Sequence, residues 1–281
     1  MRTKAGRIKR WRTAALRGAA GVALALAAGS ALAADSRAWD LAVGLGVDYS
    51  PDYSGANSNS PRLRIWADGA YRTADYGTFA LDSGSLTIAP EARWDFVDNK
   101  NWGLGLLVGY RAGRDDQNPK FASATDGSTR LSGLPDVSDT LDYGVAGHVM
   151  IAGVPLFAQV RSAVHGSQGT IVTAGLYLKF TPAENFELTV LPTVTAANAR
   201  QMKAFYGVTP AASAASGFAV YEPGSGWQNA AIEVVGDWRI AARWHFIASL
   251  AYQRLLGGAE RSPVVQTANQ PSALAGVVYD F

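Results

Sequence analysis

The sequence contains no cysteine among its 281 residues. It therefore has no disulfide framework, no thiolate ligand for a metal and no cysteine nucleophile. Charged residues are scarce at 17%, whereas 48% of the residues are hydrophobic. Despite this content, no stretch in the body of the chain has the roughly 18 consecutive apolar residues of a membrane-spanning helix. The dispersed apolar residues and the 30 glycines favour a protein of many β-strands, and composition alone leaves a soluble β-sandwich open.

Acidic residues are missing from the first 34 positions, which carry seven Lys and Arg residues. An apolar run over residues 18–29 follows these cations, and small residues then surround positions 31–33. This three-part pattern predicts a secretory signal peptide over residues 1–33 and a mature protein over residues 34–281. Without the signal peptide, 18 basic residues face 23 acidic ones, a net charge of −5. We therefore expect no nucleic-acid partner.

Alternation with a period of two recurs along the predicted mature chain. From Trp39 to Tyr49 every second residue is apolar, and the residues between them are small or charged. Because successive side chains of a strand point to opposite faces, each such segment has one apolar and one polar face. The segments are close to the roughly ten residues of a tilted transmembrane strand. About twelve are present, at 38–49, 61–72, 77–82, 85–96, 102–112, 139–151, 155–164, 170–180, 185–195, 228–241, 243–255 and 273–281.

The connections between these segments alternate in length. Bacterial outer-membrane barrels have short periplasmic turns and longer extracellular loops. We therefore predict an all-β fold: one closed antiparallel transmembrane β-barrel of about twelve strands in the bacterial outer membrane. The third and fourth segments could be two strands or one bent strand. Tight turns are predicted at 73–76, 98–101, 153–154, 181–184 and 241–243, and longer loops at 50–60, 113–138, 196–227 and 256–272.

Aromatic residues at the ends of several apolar faces indicate the two water–lipid interfaces. In the segment 170–180, Leu176 is predicted to face lipid and Tyr177 the lumen. The last segment alternates as far as Phe281, with Tyr279 two positions earlier. This ending resembles the signal that the outer-membrane assembly machinery recognises. Outer-membrane lipid and that machinery are the partners expected from the fold.

The polar faces predict a lumen lined by charges of both signs. Such charges would pair across the lumen, and their long side chains would partly fill it. The predicted lumen residues are Asp40, Asp48, Arg62, Arg64, Asp68, Glu91, Arg93, Asp95, Arg111, Asp142, His148, Gln159, Arg161, Lys179, Glu187, Glu233, Asp237, Arg239, His245 and Asp280.

Short motifs follow one another in a set order: GVDYSPDYSG at 46–55, GYRAGR at 109–114, LSGL at 131–134, YGV at 206–208 and GGAERSPVV at 257–265. In this order they resemble the MipA/OmpV family, the MltA-interacting-protein family of outer-membrane barrels. The resemblance covers nearly all of the mature chain. The residues that carry it are Tyr49, Pro51, Tyr53, Gly55, Gly109, Arg111, Arg114, Ser262 and Pro263.

The resemblance implies a scaffold and not an enzyme. Some members of the family are thought to link a lytic transglycosylase with a peptidoglycan synthase, and others are known as surface antigens. The family offers no catalytic motif to carry over to this chain. The stretch 49–55 also has a simpler interpretation, which we prefer: proline and glycine form a turn at a strand end, next to interfacial tyrosines.

Other chemistry finds little support in the sequence. His148, His165 and His245 lack the spacing of metal ligands, and Asp115 with Asp116 fits a solvated loop better than a protease dyad. We therefore predict no catalytic, cofactor-binding or metal residue. The leading hypothesis is a scaffold for murein-processing enzymes, and the alternatives are a narrow channel for small polar solutes or a surface antigen or adhesin.

Overall fold

The structure is a computed structural model that describes residues 38–114 and 129–281. The predicted signal peptide, residues 1–33, lies outside the described residues, as do Asp115 and Asp116. None of the described helices is long and apolar enough to cross a membrane.

The described residues form thirteen strands, whose bounds lie within a few residues of most of the predicted segments. They are β1 (Trp39–Pro51), β2 (Asn59–Arg72), β3 (Thr78–Asp82), β4 (Glu91–Asp98), β5 (Trp102–Arg111), β6 (Thr140–Ile151), β7 (Val154–Ala163), β8 (Thr170–Leu176), β9 (Leu178–Ala183), β10 (Phe186–Ala197), β11 (Gly226–Arg239), β12 (Trp244–Leu255) and β13 (Asn269–Asp280).

The sheet is antiparallel and closes on itself. Strand β1 pairs with β13, and β10 pairs with β11, so the ring has no free end. Strands β8 and β9 both pair with β10 and are two halves of one strand interrupted at Tyr177. The barrel thus has twelve spanning strands, and the prediction of a closed barrel is confirmed. Closure is required because lipid cannot satisfy the backbone groups of a strand edge.

The fourth predicted segment, 85–96, is corrected at its start. Strands β3 and β4 are two separate strands, but β3 ends at Asp82 and β4 begins only at Glu91. Residues 83–90, here called the inward loop, leave the wall between them. The sequence misleads here because Leu86, Ile88 and Pro90 alternate with Thr87 and Ala89 as strand residues do. Gly84 turns the chain away at φ +66°.

The two faces of the wall follow the predicted alternation. Leu45, Val108 and Leu250 are exposed on the outer face, whereas Asp48, Glu91 and Glu233 are buried on the inner one. Register places Leu176 opposite Leu156 on the outer face, and Tyr177 stacks on the inward Phe157 with ring centroids 5.0 Å apart.

The long loops contain three helices, which share one end of the barrel. Helix α1 (Ala199–Tyr206) begins after Asn198, whose side chain accepts a hydrogen bond from the Gln201 N–H. Helix α2 (Pro210–Ser216) begins after Thr209, and α3 (Gly257–Glu260) follows β12. At the opposite end, the described residues form only tight turns. By the rule of short periplasmic turns, the helices lie on the extracellular side.

Candidate functional site

The inward loop crosses the lumen and is held by Glu233 on β11. The Glu233 carboxylate accepts hydrogen bonds from Ser85 Oγ at 2.6 Å and Thr87 Oγ1 at 2.8 Å. It also accepts from the backbone N–H groups of Leu86 and Thr87, and from Ser249 Oγ at 2.7 Å. Glu233 is 1% exposed. A buried carboxylate needs such donors to replace water, so the loop and the opposite wall stabilise each other.

Two arginines bind the ends of the inward loop through its carbonyl groups. At its start, Arg64 Nη2 on β2 donates to the Ser83 and Gly84 carbonyl oxygens at 2.7 and 2.8 Å. At its end, Arg161 on β7 donates to the Ala89 and Pro90 carbonyl oxygens, both at 3.0 Å. These contacts satisfy backbone groups that have left the sheet, as buried carbonyls require.

Arg161 belongs to a buried ionic network inside the barrel. Asp142 on β6 accepts from Arg161 Nε at 3.1 Å and from Arg111 Nη2 at 2.7 Å. Arg111 continues upward, and its Nη1 donates to Gln201 Oε1 in α1 at 2.9 Å. A Cβ atom at Gly109 would lie 1.9 Å from Arg161 Nη2. Glycine is therefore required at position 109, because the Arg161 side chain lies directly against the inner face of β5 there.

The lower lumen contains further ion pairs between charges of opposite sign, although the sequence predicted pairing across the lumen. His245 lies between two carboxylates, with Nδ1 2.7 Å from Asp237 and Nε2 3.2 Å from Asp280. Lys179 pairs with Glu187 at 2.5 Å. These contacts join neighbouring strands of the wall and fill the lumen with long side chains.

An apolar cluster blocks part of the lumen beside the inward loop. Trp66 on β2 is 6% exposed and packs with Leu274 and Val278. Its ring lies over the glycine-lined wall of β1 and β13, where a Cβ at Gly46 or Gly276 would come within 2.7 Å or 2.5 Å of it. The inner-face glycines thus make room for an indole.

Extracellular loops pack into a cap over the barrel, formed by residues 52–58, 131–137, 198–225 and 256–268. Two apolar clusters lie inside it. One contains Tyr53, Leu131, Leu134, Val208, Ala212 and Val264, and the other contains Val137, Met202, Phe205, Tyr206, Leu255 and Ala259.

Buried hydrogen bonds join the loops of the cap. Tyr206 OH lies 2.8 Å from Ser54 Oγ, and Ser262 Oγ donates to the Tyr206 carbonyl oxygen at 2.7 Å. Arg114 Nη1 donates to the Phe205 carbonyl oxygen at 2.6 Å. Burial raises the pKa of the Tyr53 and Tyr206 hydroxyls above the ordinary value. The cap is therefore a packed structure with its own core.

A cavity of about 560 Å³ lies between the cap and the inward loop. Tyr53, Gln201 and Phe205 form its roof, and residues 85–90 form its floor. This cavity, here called the chamber, is walled by polar side chains of the barrel. These include Asp48, Arg62, Arg64, Gln159, Arg161, Thr173, Thr195, Asn229 and Gln253.

The structure brings most of the family-motif residues together in the cap and beneath it. Tyr53 is 1% exposed, and its hydroxyl donates to Gln266 Oε1 at 2.9 Å, so it packs in the cap core instead of lying at the interface. Gly55, at φ +104°, donates its N–H to Gln270 Oε1 at 2.9 Å. Tyr49 is exposed at the interface, where both tyrosines were expected. Strand β1 ends two residues later, at Pro51.

The remaining motif residues have related positions. Gly109 and Arg111 belong to the Asp142 network, and Arg114 binds α1. Ser262, followed by Pro263, binds the end of α1 through Tyr206. Tyr279 and Phe281 lie at the periplasmic end, with ring centroids 4.9 Å apart.

The inward loop and its binding by Glu233 were missed from the sequence. Glu233 and Arg64 were assigned to the lumen correctly, but only as members of a general ionic lining. The available signal was Ser83-Gly84 just before the proposed segment 85–96, with Ser85 and Pro90 inside that segment, a turn-forming composition.

The sequence profile of the family described as "MltA-interacting protein MipA" matches residues 43–281 of this chain. No curated protein matches the chain.

Among solved structures, the chain is similar to several outer-membrane proteins. With OprB of Pseudomonas putida the identity is 14%, the TM-score is 0.37, and 79% of this chain and 59% of OprB are covered. With the NanC porin the identity is 10%, the TM-score 0.43, and the coverage 86% and 100%. With the COG4313 outer membrane channel of Pseudomonas putida F1 the values are 13%, 0.45, 88% and 97%.

Proposed function

Because this chain belongs to the family of the MltA-interacting protein MipA, we propose that it is a scaffold in the outer membrane. In this role it holds a murein-processing enzyme, a lytic transglycosylase in the first place, at the periplasmic face. A peptidoglycan synthase is the second proposed partner. The barrel catalyses no reaction of its own in this proposal.

The observation that supports a scaffold over a channel is that the inward loop crosses the lumen. Glu233, Arg64 and Arg161 bind this loop from three separate strands. Trp66 packs beside it, and the cap lies above it. A solute would have to displace buried, charge-assisted hydrogen bonds, each worth about 1.5–3 kcal/mol, to pass.

The periplasmic rim is the surface available to a partner in the murein layer. It consists of the tight turns between strands, together with the barrel ends. Lys100 and Arg243 are exposed there, and Tyr76 projects from the turn between β2 and β3 with 70% of its surface exposed. Aromatic residues and arginine are enriched in protein interfaces, so Tyr76 and Arg243 are candidate contacts, and Lys100 adds positive charge to the same rim.

Retention on a column tests this proposal. The barrel, immobilised in detergent, should retain a soluble lytic transglycosylase, and Lys100→Glu with Arg243→Glu should weaken the retention. The matched control reverses two exposed charges in the extracellular loops and cap, Arg200→Glu with Arg261→Glu, and should leave it unchanged. Failure to retain any enzyme from a panel of murein-processing enzymes would refute the scaffold role.

A narrow channel for small polar solutes is the second candidate, favoured by the polar chamber of about 560 Å³ inside the lumen. Stable unitary conductance of the wild-type protein in a planar bilayer would support it. A silent bilayer would support the scaffold.

A further inference from the structure

Among the described residues, the barrel wall has an opening in its extracellular half. Strand β2 pairs with β1 along its whole length, from Asn59 to Tyr71, but with β3 only over Gly69–Arg72. Above that point β3 ends and the inward loop turns into the lumen. On the other side of the opening, Pro90 lies beside β5, and its carbonyl oxygen accepts a hydrogen bond from the Tyr110 N–H at 3.1 Å. Because β3 and β4 are both missing at this level, β2 and β5 are three strand spacings apart, roughly 14 Å between strand axes.

Within the part of the chain that the structure describes, the edge of β2 at this opening has no neighbouring strand. At its lower end the Ala67 N–H donates to Ser83 Oγ at 2.7 Å. Alternate residues of an antiparallel strand direct both backbone groups to the same side, so Leu63 and Ile65 also direct theirs to the opening. Among the described residues, no strand pairs with them there. Pro61 has no N–H to satisfy. Hydrocarbon cannot satisfy such groups, so a polar occupant or water is needed at this edge.

The chamber continues through this opening to the outer surface. Leu63 and Ile65 are lipid-facing, 41% and 47% exposed, yet they line the same cavity as the inward-facing Arg62 and Arg64. Ile88 of the inward loop lines it too. The cavity thus joins an apolar rim at the lipid surface to a polar interior. This arrangement matches an amphiphile with its chain outward and its head group inward.

Charge identifies the kind of head group. Four arginines and one aspartate line the chamber: Arg62, Arg64, Arg111, Arg161 and Asp48. Arg111 and Arg161 share Asp142, and Arg62 lies 3.9 Å from Asp48. Arg64 lies between Leu63 and Ile65 in β2, and the contacts that the structure describes for it are carbonyl oxygens and not carboxylates. An anionic group would complement this lining.

An amide group adds a second requirement. Gln159 is 7% exposed and lines the chamber, and its Oε1 has no donor among the described residues. A buried amide oxygen without a donor is destabilising, because it has lost its hydrogen bond to water. A hydroxyl group on the ligand would provide that donor.

We propose that the chamber binds an amphiphile from the surrounding membrane, whose head group carries both a phosphate and hydroxyl groups and which enters through the opening between β2 and β5. The phosphate lies at Arg64 and the hydroxyls at Gln159, while the acyl chain leaves past Leu63 and Ile65. The volume of about 560 Å³ falls in the range of roughly 300–1,000 Å³ of small-molecule sites. This site is independent of the proposed scaffold role.

Native mass spectrometry of the purified barrel tests the site with two single-chain probes of equal chain length. Lysophosphatidylglycerol has a phosphate and a glycerol head, whereas lysophosphatidylcholine carries a compensating cation in place of the hydroxyls. We expect one molecule of lysophosphatidylglycerol to bind, at least tenfold more tightly than lysophosphatidylcholine. Equal affinity of the two probes, or binding of many copies without saturation, would overturn the proposal.

Variants locate the site on the barrel. Arg64→Gln should weaken lysophosphatidylglycerol binding about tenfold, as loss of a charged hydrogen bond does. Ile65→Trp narrows the opening and should weaken it similarly, whereas Val172→Trp, at a lipid-facing site of 42% exposure on a fully paired part of the wall, should not. Arg64→Gln also removes contacts to the inward loop. The comparison of Ile65→Trp with Val172→Trp, which leaves those contacts in place, is therefore the decisive test. Equal binding by these two variants would exclude access through the opening.

Discussion

Ser85 and Glu233 are 148 residues apart in the chain, yet the Ser85 hydroxyl donates to the Glu233 carboxylate at 2.6 Å inside the barrel. One residue belongs to a loop that has left the wall, and the other belongs to the strand that faces it. Through this contact the inward loop crosses the lumen and separates the chamber on the extracellular side from the ion pairs below it.

Glu233→Ala should release the inward loop from the opposite wall. The loop loses four donor contacts to one carboxylate, so we expect current bursts in a planar bilayer that is silent with the wild type. Glu187→Ala, which removes a lumen carboxylate paired with Lys179 and not with the loop, should remain silent. If both variants gave current bursts, the conductance would not depend on release of the inward loop.

Gly109→Ala should destabilise the barrel by about 1–3 kcal/mol, the usual cost of overpacking. Its new methyl group would meet Arg161 Nη2 at 1.9 Å and the Pro90 carbonyl oxygen at 2.7 Å. At Gly226, nothing lies within 4 Å of a Cβ, so Gly226→Ala is the matched control. The temperature at which heat-modifiable gel mobility is lost measures the difference, and equal temperatures would contradict it.

Leu176→Arg should impair folding, because an arginine on the lipid face near mid-membrane costs roughly 2–4 kcal/mol. Thr173→Lys places a cation on the inner face of the same strand, where Thr173 borders the chamber, and should fold. Folded yield in detergent, read from gel mobility with and without boiling, compares them. Equal folding of the two variants, or failure of the Thr173 variant alone, would show that the assignment of faces is wrong.

Deletion of Phe281 should slow assembly in the cell without lowering the thermal stability of the protein that does fold. Its ring contacts Tyr279 near the periplasmic rim, where the assembly machinery is expected to bind it. Phe180→Ala, which removes a lipid-facing ring of 50% exposure elsewhere on the wall, is the control. Normal assembly of the deletion variant in pulse-chase experiments would argue against the signal.

Tyr206→Phe should loosen the cap, since the hydroxyl contacts Ser54 and Gln228. Such hydrogen bonds contribute about 1 kcal/mol each. The raised pKa of Tyr206 means that its contribution is complete below the ordinary value of 10.0 and is lost as pH rises through the folded-state pKa. Protease cleavage of the cap should therefore increase at strongly alkaline pH in the wild type, and this step should be smaller in the variant.

Sequence patterns were sufficient for the wall because each strand meets lipid on one face and a polar interior on the other. That contrast imposes a period of two, and a slip of one residue would reverse every side chain. Strand positions, the assignment of Leu176 and Tyr177 to opposite faces, and the sorting of short turns from long loops follow from it. The order of the short motifs also indicates the family, and the match of the family profile over residues 43–281 confirms it.

The chamber, its floor and its opening were decided only by tertiary structure. Residues 85–90 alternate as a strand does, and the turn-forming Gly84 and Pro90 do not by themselves separate a segment that leaves the wall from one that stays in it. What distinguishes them is the distant Glu233, Arg64 and Arg161, whose donors and acceptors replace the lost sheet partners. Similarly, the sequence predicts that Tyr53 lies at the membrane interface, whereas the structure places it in the core of the cap. Local alternation determines the faces of strands, whereas burial of loops depends on partners far along the chain, which only the closed barrel brings together.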